Sequence, residues 1–320
     1  MLEVRNLAIN FKVGSGLLTR ARLLKAVQQM DFTVAAGETF AVVGESGSGK
    51  STLARAVMRL VEPANGSVHL DGEDLTALSG ARLRRVRPNL QMVFQDPYAS
   101  LDPSKLIRDI VGEPLAVHGR AQGAELEAEV LRLLRLVGLD AHHMARYPHE
   151  FSGGQRQRVA IARAIALRPK LLVLDEAVSA LDVSTQNQIL NLLEDLQHEF
   201  GMAYLFISHD LGVVRHIADR VAVTYLGRIV EQGPTKRIFE APAHPYTRAL
   251  LAAVPVPNPK RQRANREPPL SGEIPSPLDP PPGCAFHGRC PYAQPVCREQ
   301  IPEHEPVADG GSVACHVRPL

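Results

Sequence analysis

Gly44-Glu45-Ser46-Gly47-Ser48-Gly49-Lys50-Ser51 is the segment that most constrains this chain. It fits G-x4-G-K-[ST] in full, and such a motif carries weight only between a strand and a helix. That context is present: the apolar run Phe40-Ala41-Val42-Val43 precedes it and a helical pattern, Thr52 to Leu60, follows. Glycines let the backbone curl until successive N–H groups face one phosphate chain. The helix N-terminus adds partial positive charge. Lys50 can reach β- and γ-phosphates, the Ser51 hydroxyl is placed to coordinate Mg²⁺, and Thr52 joins the candidate contacts. A ligand-free glycine turn would account for the glycines but not for the Lys-Ser pair after them. The motif points to nucleotide binding and leaves the reaction open.

The surrounding pattern is α/β. Leu171-Leu172-Val173-Leu174 and Tyr204-Leu205-Phe206-Ile207 read as strands buried on both faces. Gln186 to Phe200 reads as a helix, and strands alternating with helices imply a parallel sheet. Val221 to Gln232, broken at Leu226-Gly227-Arg228, reads as an antiparallel hairpin, and Leu2 to Phe11 as an edge strand. Residues 242–282 hold 12 of the 25 prolines, so this stretch is expected to be an extended linker or strap rather than helix or central strand. The hydrophobic fraction of 45% supplies a sizeable core. A net charge of +2, 5% aromatic residues and no Trp argue against nucleic acid as a partner. No apolar run reaches the roughly 18 residues of a membrane helix, and the N-terminus lacks a signal-peptide pattern. The expectation is a soluble, cytoplasmic chain; at a membrane, another subunit would have to span it.

Two further segments carry chemistry. The run 171–174 ends in Asp175-Glu176. An apolar strand delivering two carboxylates at its C-terminal end suits a phosphate-loop enzyme: Asp175 would hold Mg²⁺ and Glu176 would polarise the attacking water as a general base. Ser152-Gly153-Gly154-Gln155 opens a second helical pattern, Arg156 to Ala164, and offers backbone donors to an anion. Alone it would also be an ordinary Ser N-cap. One γ-phosphate rarely needs two such clusters, so this one reads as serving a nucleotide held by a partner subunit.

With those segments in place the sequence resembles an ATP-binding cassette protein over nearly its whole length. In order it carries the phosphate loop 44–51, Gln95 at the Q-loop, the signature 152–155, Asp175-Glu176, the D-loop Ser179-Ala180-Leu181-Asp182, and His209 at the H-switch. The resemblance implies two cassettes closing head to tail over two ATP molecules. It implies that His209 contacts the γ-phosphate, and that Gln95 senses Mg²⁺ and passes closure to membrane subunits. Phe11 is the candidate for stacking on adenine, while Phe32 and Phe40 would serve as core residues. Phe151 stands where the family has Leu before the signature Ser, a departure that leaves every catalytic position intact.

Gln95-Asp96-Pro97-Tyr98-Ala99-Ser100-Leu101-Asp102-Pro103, Glu176 to Ser184, His244-Pro245-Tyr246-Thr247 and Gly272-Glu273-Ile274-Pro275-Ser276-Pro277 resemble the dipeptide/oligopeptide importer branch, most of all the second ATPase of the dipeptide system. Nickel and glutathione importers share much of this pattern. The expected fold is that of the cassette-type phosphate-loop NTPases. A cassette spans 1–240, with a helical subdomain at about 97–165 and an antiparallel β region, and a Pro- and Cys-rich extension spans 241–320. The expected partners are a second, non-identical cassette ATPase, two membrane permease subunits and a periplasmic or extracellular solute-binding protein, with the chain peripheral on the cytoplasmic face of the bacterial inner membrane. A soluble cassette acting on nucleic acid or the ribosome would tend to carry a second cassette or a long basic or coiled-coil insertion, and neither is present.

Cys284, Cys290, Cys297 and Cys315 all fall in the last 37 residues. A reducing cytosol disfavours a disulfide pair. Gaps of five, six and seventeen residues depart from the C-x₂₋₄-C pairs of zinc sites. Four thiolates in a loop-rich segment suit a [4Fe–4S] cluster, which the resemblance supports. Cluster, zinc and no metal remain open, and a metal would staple a tail of low apolar content.

Overall fold

The computed structural model describes residues 1–14, 22–254 and 272–317. The N-terminal half runs β1 (Leu2–Val13), β2 (Arg22–Val34), β3 (Thr39–Val43), α1 (Lys50–Val57), β4 (Asn65–Leu70), β5 (Glu73–Asp74), α2 (Gly80–Val86), β6 (Leu90–Val93), α3 (Pro97–Ser100), α4 (Ile107–Val117) and α5 (Gly123–Leu136). It continues with α6 (Gly153–Ile165), β7 (Leu171–Asp175), α7 (Val183–Phe200), β8 (Ala203–Ser208), α8 (Leu211–Ile217), β9 (Arg220–Tyr225), β10 (Arg228–Pro234), α9 (Thr235–Glu240), α10 (Pro245–Ala252), α11 (Pro295–Glu299), β11 (Glu305–Pro306) and β12 (Ser312–Val313). These elements divide between two compact units, Met1–Thr33, Thr39–Thr76 and Ser208–Leu320 in one, Val34–Glu38 and Ala77–Ile207 in the other.

In the first unit, β2-β1-β4-β5 form one sheet, antiparallel at β1–β4 and β4–β5, and β11-β12-β10-β9-β3 a second set of strands. β3 pairs parallel with β9, Val43 beside Val223, and its five residues are all buried, which is why it reads as a continuous apolar run. The 221–232 hairpin is present as β9–β10. β1 is not an edge strand: it lies between β2 and β4. Its inward set, Leu2, Val4, Leu7 and Ile9, is at most 2% exposed, but alternation reports one buried face and not whether both edges are paired.

The stretch after residue 241 also departs from expectation. Pro245–Ala252 is a helix, because Pro245 sits in the first turn, where its missing N–H costs nothing. His244 caps it, its Nδ1 accepting from Tyr246 N–H at 3.0 Å. Burial pushes the His244 pKa down to about 3, with His304 adding to the effect, so the ring stays neutral and the acceptor stays available. The proline-dense remainder up to residue 271 lies outside the described residues. The last part of the chain adds β12 to β10, Val313 beside Glu231.

In the second unit β6, β7 and β8 run parallel, with Val93 beside Leu174 and Leu174 beside Phe206. The Tyr204 hydroxyl donates to the Leu193 carbonyl at 2.7 Å, tying α7 to β8. α4, α5 and α6 pack around Ile107, Val111, Val130, Leu134, Val159 and Ile161, each at most 1% exposed.

Glu231, on β10 and fully buried, fastens the start of the extension. It pairs with Arg237 at 2.5 Å and accepts from the N–H groups of Ala243 at 2.7 Å and His244 at 2.9 Å. Glu231→Ala strands a buried guanidinium and two buried amides, so it should cost about 3–5 kcal/mol, read as a lower urea midpoint. Glu231→Gln, which keeps one acceptor oxygen but sets an NH2 donor against the other amide and removes the charge facing Arg237, should recover only part of that loss.

Candidate nucleotide site

In the first unit the phosphate loop leaves β3 and enters α1 as its sequence context demands. Gly49 caps α1 at φ 97°, and a Cβ there would overlap the Ala26 carbonyl oxygen, so only glycine fits. Lys50 is 5% exposed and donates to the carbonyls of Gly44 at 2.8 Å and Glu45 at 3.0 Å, which keeps its ammonium inside the curl of the loop. Ser46 and Gly47 are exposed, while Ser51 and Thr52 are half-buried at the helix start.

The β9–β10 hairpin braces the loop from behind. Thr224 Oγ1 donates to the Val43 carbonyl at 2.9 Å and lies 3.1 Å from the Ser48 hydroxyl. Gly227 N–H donates to the Ser48 carbonyl at 3.0 Å. The extension reaches the same loop. Tyr246 Oη accepts from Glu45 N–H at 3.0 Å, and Arg289 pairs with the Glu45 carboxylate at 2.7 and 3.1 Å. Tyr225, Tyr246 and Phe286, each at most 1% exposed, pack edge-on or tilted with centroids 4.8–5.3 Å apart. Phe32 and Phe40 are stacked in the core at 4.8 Å, whereas Phe11 is half-buried on β1. His209 is exposed just after β8, where Asp210 caps α8 by accepting from Gly212 N–H at 2.8 Å.

In the second unit the parallel register of β6 and β7 brings Gln95 and Glu176 together at the C-terminal ends of the strands, where such sheets bind ligands. Gln95 Nε2 donates to Glu176 Oε2 at 2.8 Å. Asp175 is 4% exposed. Glu176 adopts φ 49°, a left-handed conformation that costs a non-glycine residue about 1 kcal/mol or more. It is held there by its N–H donating to Ile207 at 3.0 Å and by its carbonyl accepting from Ser179 N–H and Oγ at 3.1 and 2.9 Å.

The signature begins α6. Ser152 Oγ accepts from Gln155 N–H at 3.3 Å and Gln155 Oε1 accepts from Ser152 N–H at 3.1 Å, a capping box. Gly153 approaches Leu181 and Gly154 approaches Thr185; a Cβ on Gly154 would overlap Thr185 Cγ2. Asp182 caps α7, accepting from the hydroxyls of Ser184 and Thr185 and from both their amides, which holds its pKa far below the usual carboxylate range. The segment after Gln95 is tied to the same helix: the Arg156 guanidinium lies 3.7 Å over the exposed Tyr98 ring, and Arg163 donates to the Ser100 carbonyl at 2.6 Å. Phe151 is 4% exposed against the His143 ring, so the aromatic is accommodated in the core.

The family model for ABC transporters matches residues 27–179, and that for the C-terminal region of oligopeptide/dipeptide transporters matches 230–297. The oligopeptide transport ATP-binding protein AppF of Bacillus subtilis is 51% identical over 320 residues, covering 99% of this chain and 97% of that protein. The di/tripeptide transport ATP-binding protein DppF of Pseudomonas aeruginosa is 49% identical over 318 residues, with coverage of 99% and 97%. A solved dimeric ATP-binding cassette in a post-hydrolysis state with ADP and Pi superposes with a TM-score of 0.65 at 29% identity, over 73% of this chain and 99% of that one. The chain belongs to the ABC transporter ATPases of the oligopeptide/dipeptide branch. As a member of this family it binds ATP and hydrolyses it.

Arg289, Tyr246, Thr224 and Thr185 are the contacts that reading the sequence did not single out for this site. Arg289 is 244 residues from its partner Glu45, and nothing local to either residue announces the pairing. Gly154→Ala should cost about 1–3 kcal/mol through overpacking against Thr185. Adding Thr185→Ser, which removes Cγ2 and keeps the capping hydroxyl, should restore most of the lost melting temperature. An unchanged melting temperature in Gly154→Ala alone would show that contact to be slack.

Proposed function

We propose that this chain is the ATP-hydrolysing motor subunit of a peptide importer of the dipeptide/oligopeptide class. The observation that carries the reading is the presence, in one chain, of a complete ordered set of cassette motifs and the C-terminal region of oligopeptide/dipeptide transporters. Residues 1–240 act as the cassette, with a helical subdomain at about 97–165, and 241–320 as the extension.

Lys50 and the loop Gly44 to Ser51 bind the β- and γ-phosphates, through amides other than that of Glu45, which is given to Tyr246, with Thr52 alongside, and Phe11 stacks on adenine. Ser51, Asp175 and Gln95 hold Mg²⁺. Glu176 takes the proton of the attacking water as that water displaces ADP from the γ-phosphorus, and His209 contacts the same phosphate. The hydrogen bond from Gln95 to Glu176 supports this division, since one side chain there can report on both metal and base. Ser152, Gly153, Gly154 and Gln155 close over the nucleotide of a second, sibling cassette. Among the described residues no helix is long and apolar enough to cross a membrane. In keeping with the family, two permease subunits supply the channel, a periplasmic or extracellular binding protein supplies the solute, and the chain docks peripherally on the cytoplasmic face of the inner membrane.

The four cysteines are assigned to a [4Fe–4S] cluster. All four are free, and the charge on Cys315 is sensitive to the other three. Burial pushes Cys284 and Cys290 up and Cys315 up to about 11, so without a bound cation these thiols stay protonated. Sulfurs around a single zinc lie about 3.8 Å apart. Among the described residues no three of these thiols lie within 4.8 Å of one another, so they do not form a single-zinc site as they stand.

Three substitutions test the reading in the assembled transporter. Lys50→Ala should abolish ATP binding. Glu176→Gln should still bind ATP while turnover falls by about 10²–10⁴-fold; retained turnover would remove Glu176 as the base. Protein purified without oxygen should be brown and contain iron, and Cys297→Ser should lose both. Colourless, iron-free anaerobic protein retires the cluster and leaves the ATPase assignment standing.

A further inference from the structure

Glu45 sets an electrostatic problem inside the phosphate loop. Its side chain is 24% exposed, and a carboxylate at this position repels a polyphosphate chain. Arg289 answers it from the far end of the sequence. Nη1 donates to Glu45 Oε2 at 2.7 Å and Nη2 to Oε1 at 3.1 Å, a bidentate pair in which the Arg289 side chain is only 6% exposed. A pair this enclosed differs from the solvated surface pairs that contribute little.

The arginine is itself held in place. Its backbone N–H donates to the Phe286 carbonyl at 3.0 Å, Nη1 reaches Tyr225 Oη at 3.4 Å, and the guanidinium lies 5.8 Å from the Tyr225 ring centre. The extension also grips Glu45 by its backbone, through Tyr246 Oη. Both the charge and the main-chain position of one phosphate-loop residue are thus fixed by residues beyond 241.

We propose that Arg289 is a positioning residue for ATP binding: by neutralising Glu45 and holding the phosphate loop through it, the C-terminal extension sets the affinity of that loop for the triphosphate. The inference rests on the reading of 44–51 as the ATP-binding loop, and extends it by placing a determinant of nucleotide affinity in the transporter-specific extension.

The test is equilibrium binding of MgATP to the full chain, with KM and kcat measured beside it. Arg289→Ala should raise Kd and KM by about tenfold, with kcat within about twofold of wild type. The deficit should shrink at high salt, because screening weakens an uncompensated carboxylate. Glu45→Gln/Arg289→Ala should return to within about threefold of wild type, since the charge that Arg289 offsets is then gone. Arg289→Lys, which keeps the charge and loses the fork, should fall between wild type and Arg289→Ala. If Arg289→Ala does not fold, Arg289→Gln, which removes the charge while keeping bulk and a donor, decides: an unchanged Kd overturns the proposal. A Kd for Arg289→Ala within twofold of wild type, or a double variant no better than the single, also overturns it. Wild-type protein that binds no ATP would instead refute the reading of the loop.

Discussion

Backbone amides can present themselves to a phosphate chain only if something else holds the loop in its curl. Here the holding groups come from several parts of one unit. β9 supplies Thr224 to the carbonyl of Val43 and to the Ser48 hydroxyl, and the turn after β9 supplies Gly227 N–H to the carbonyl of Ser48. Ala26 on β2 leaves no room for a side chain at Gly49, and Lys50 closes the curl from within. A buried hydrogen bond gains little on being made and costs much when broken. Such a frame is therefore worth more as geometry than as stability: the donors are prepared before the ligand arrives, and binding need not order them.

A different economy operates where Glu176 sits. Its left-handed backbone is unfavourable for a side-chain-bearing residue, and three hydrogen bonds to its main chain hold it there. The parallel register of β6, β7 and β8 delivers Gln95, Asp175 and Glu176 to one edge of the strands. The residues that follow Gln95 in the chain, Tyr98 and Ser100, meet Arg156 and Arg163 of α6.

The strands that flank the chemistry were legible because they are short, apolar and bounded by glycine or acid: 40–43, 171–174 and 204–207 all lie in strands of the structure. The phosphate loop, the Asp175-Glu176 pair and the Ser152 turn were legible because local spacing defines them. Elements whose identity depends on distant partners were not. β1 gave its buried face correctly and its place in the sheet wrongly, since β2, which flanks it, was not recognised. Proline count misjudged 245–252, because a proline in the first turn of a helix differs physically from one in its middle. Arg289 was invisible for the same reason as β2: its meaning lies in Glu45, across most of the chain.

The extension is therefore part of the cassette's own framework. β12 pairs with β10, Glu231 of β10 holds the first residues of the extension, and Phe286 completes an aromatic cluster with Tyr225 and Tyr246. Arg289 leaves the turn that also carries Cys284 and Cys290, and that turn is closed by His287 and Cys290 amides donating to the carbonyls of Cys284 and His287. Under the role proposed for Arg289, a constraint on those cysteines would act on the turn that carries the residue facing Glu45.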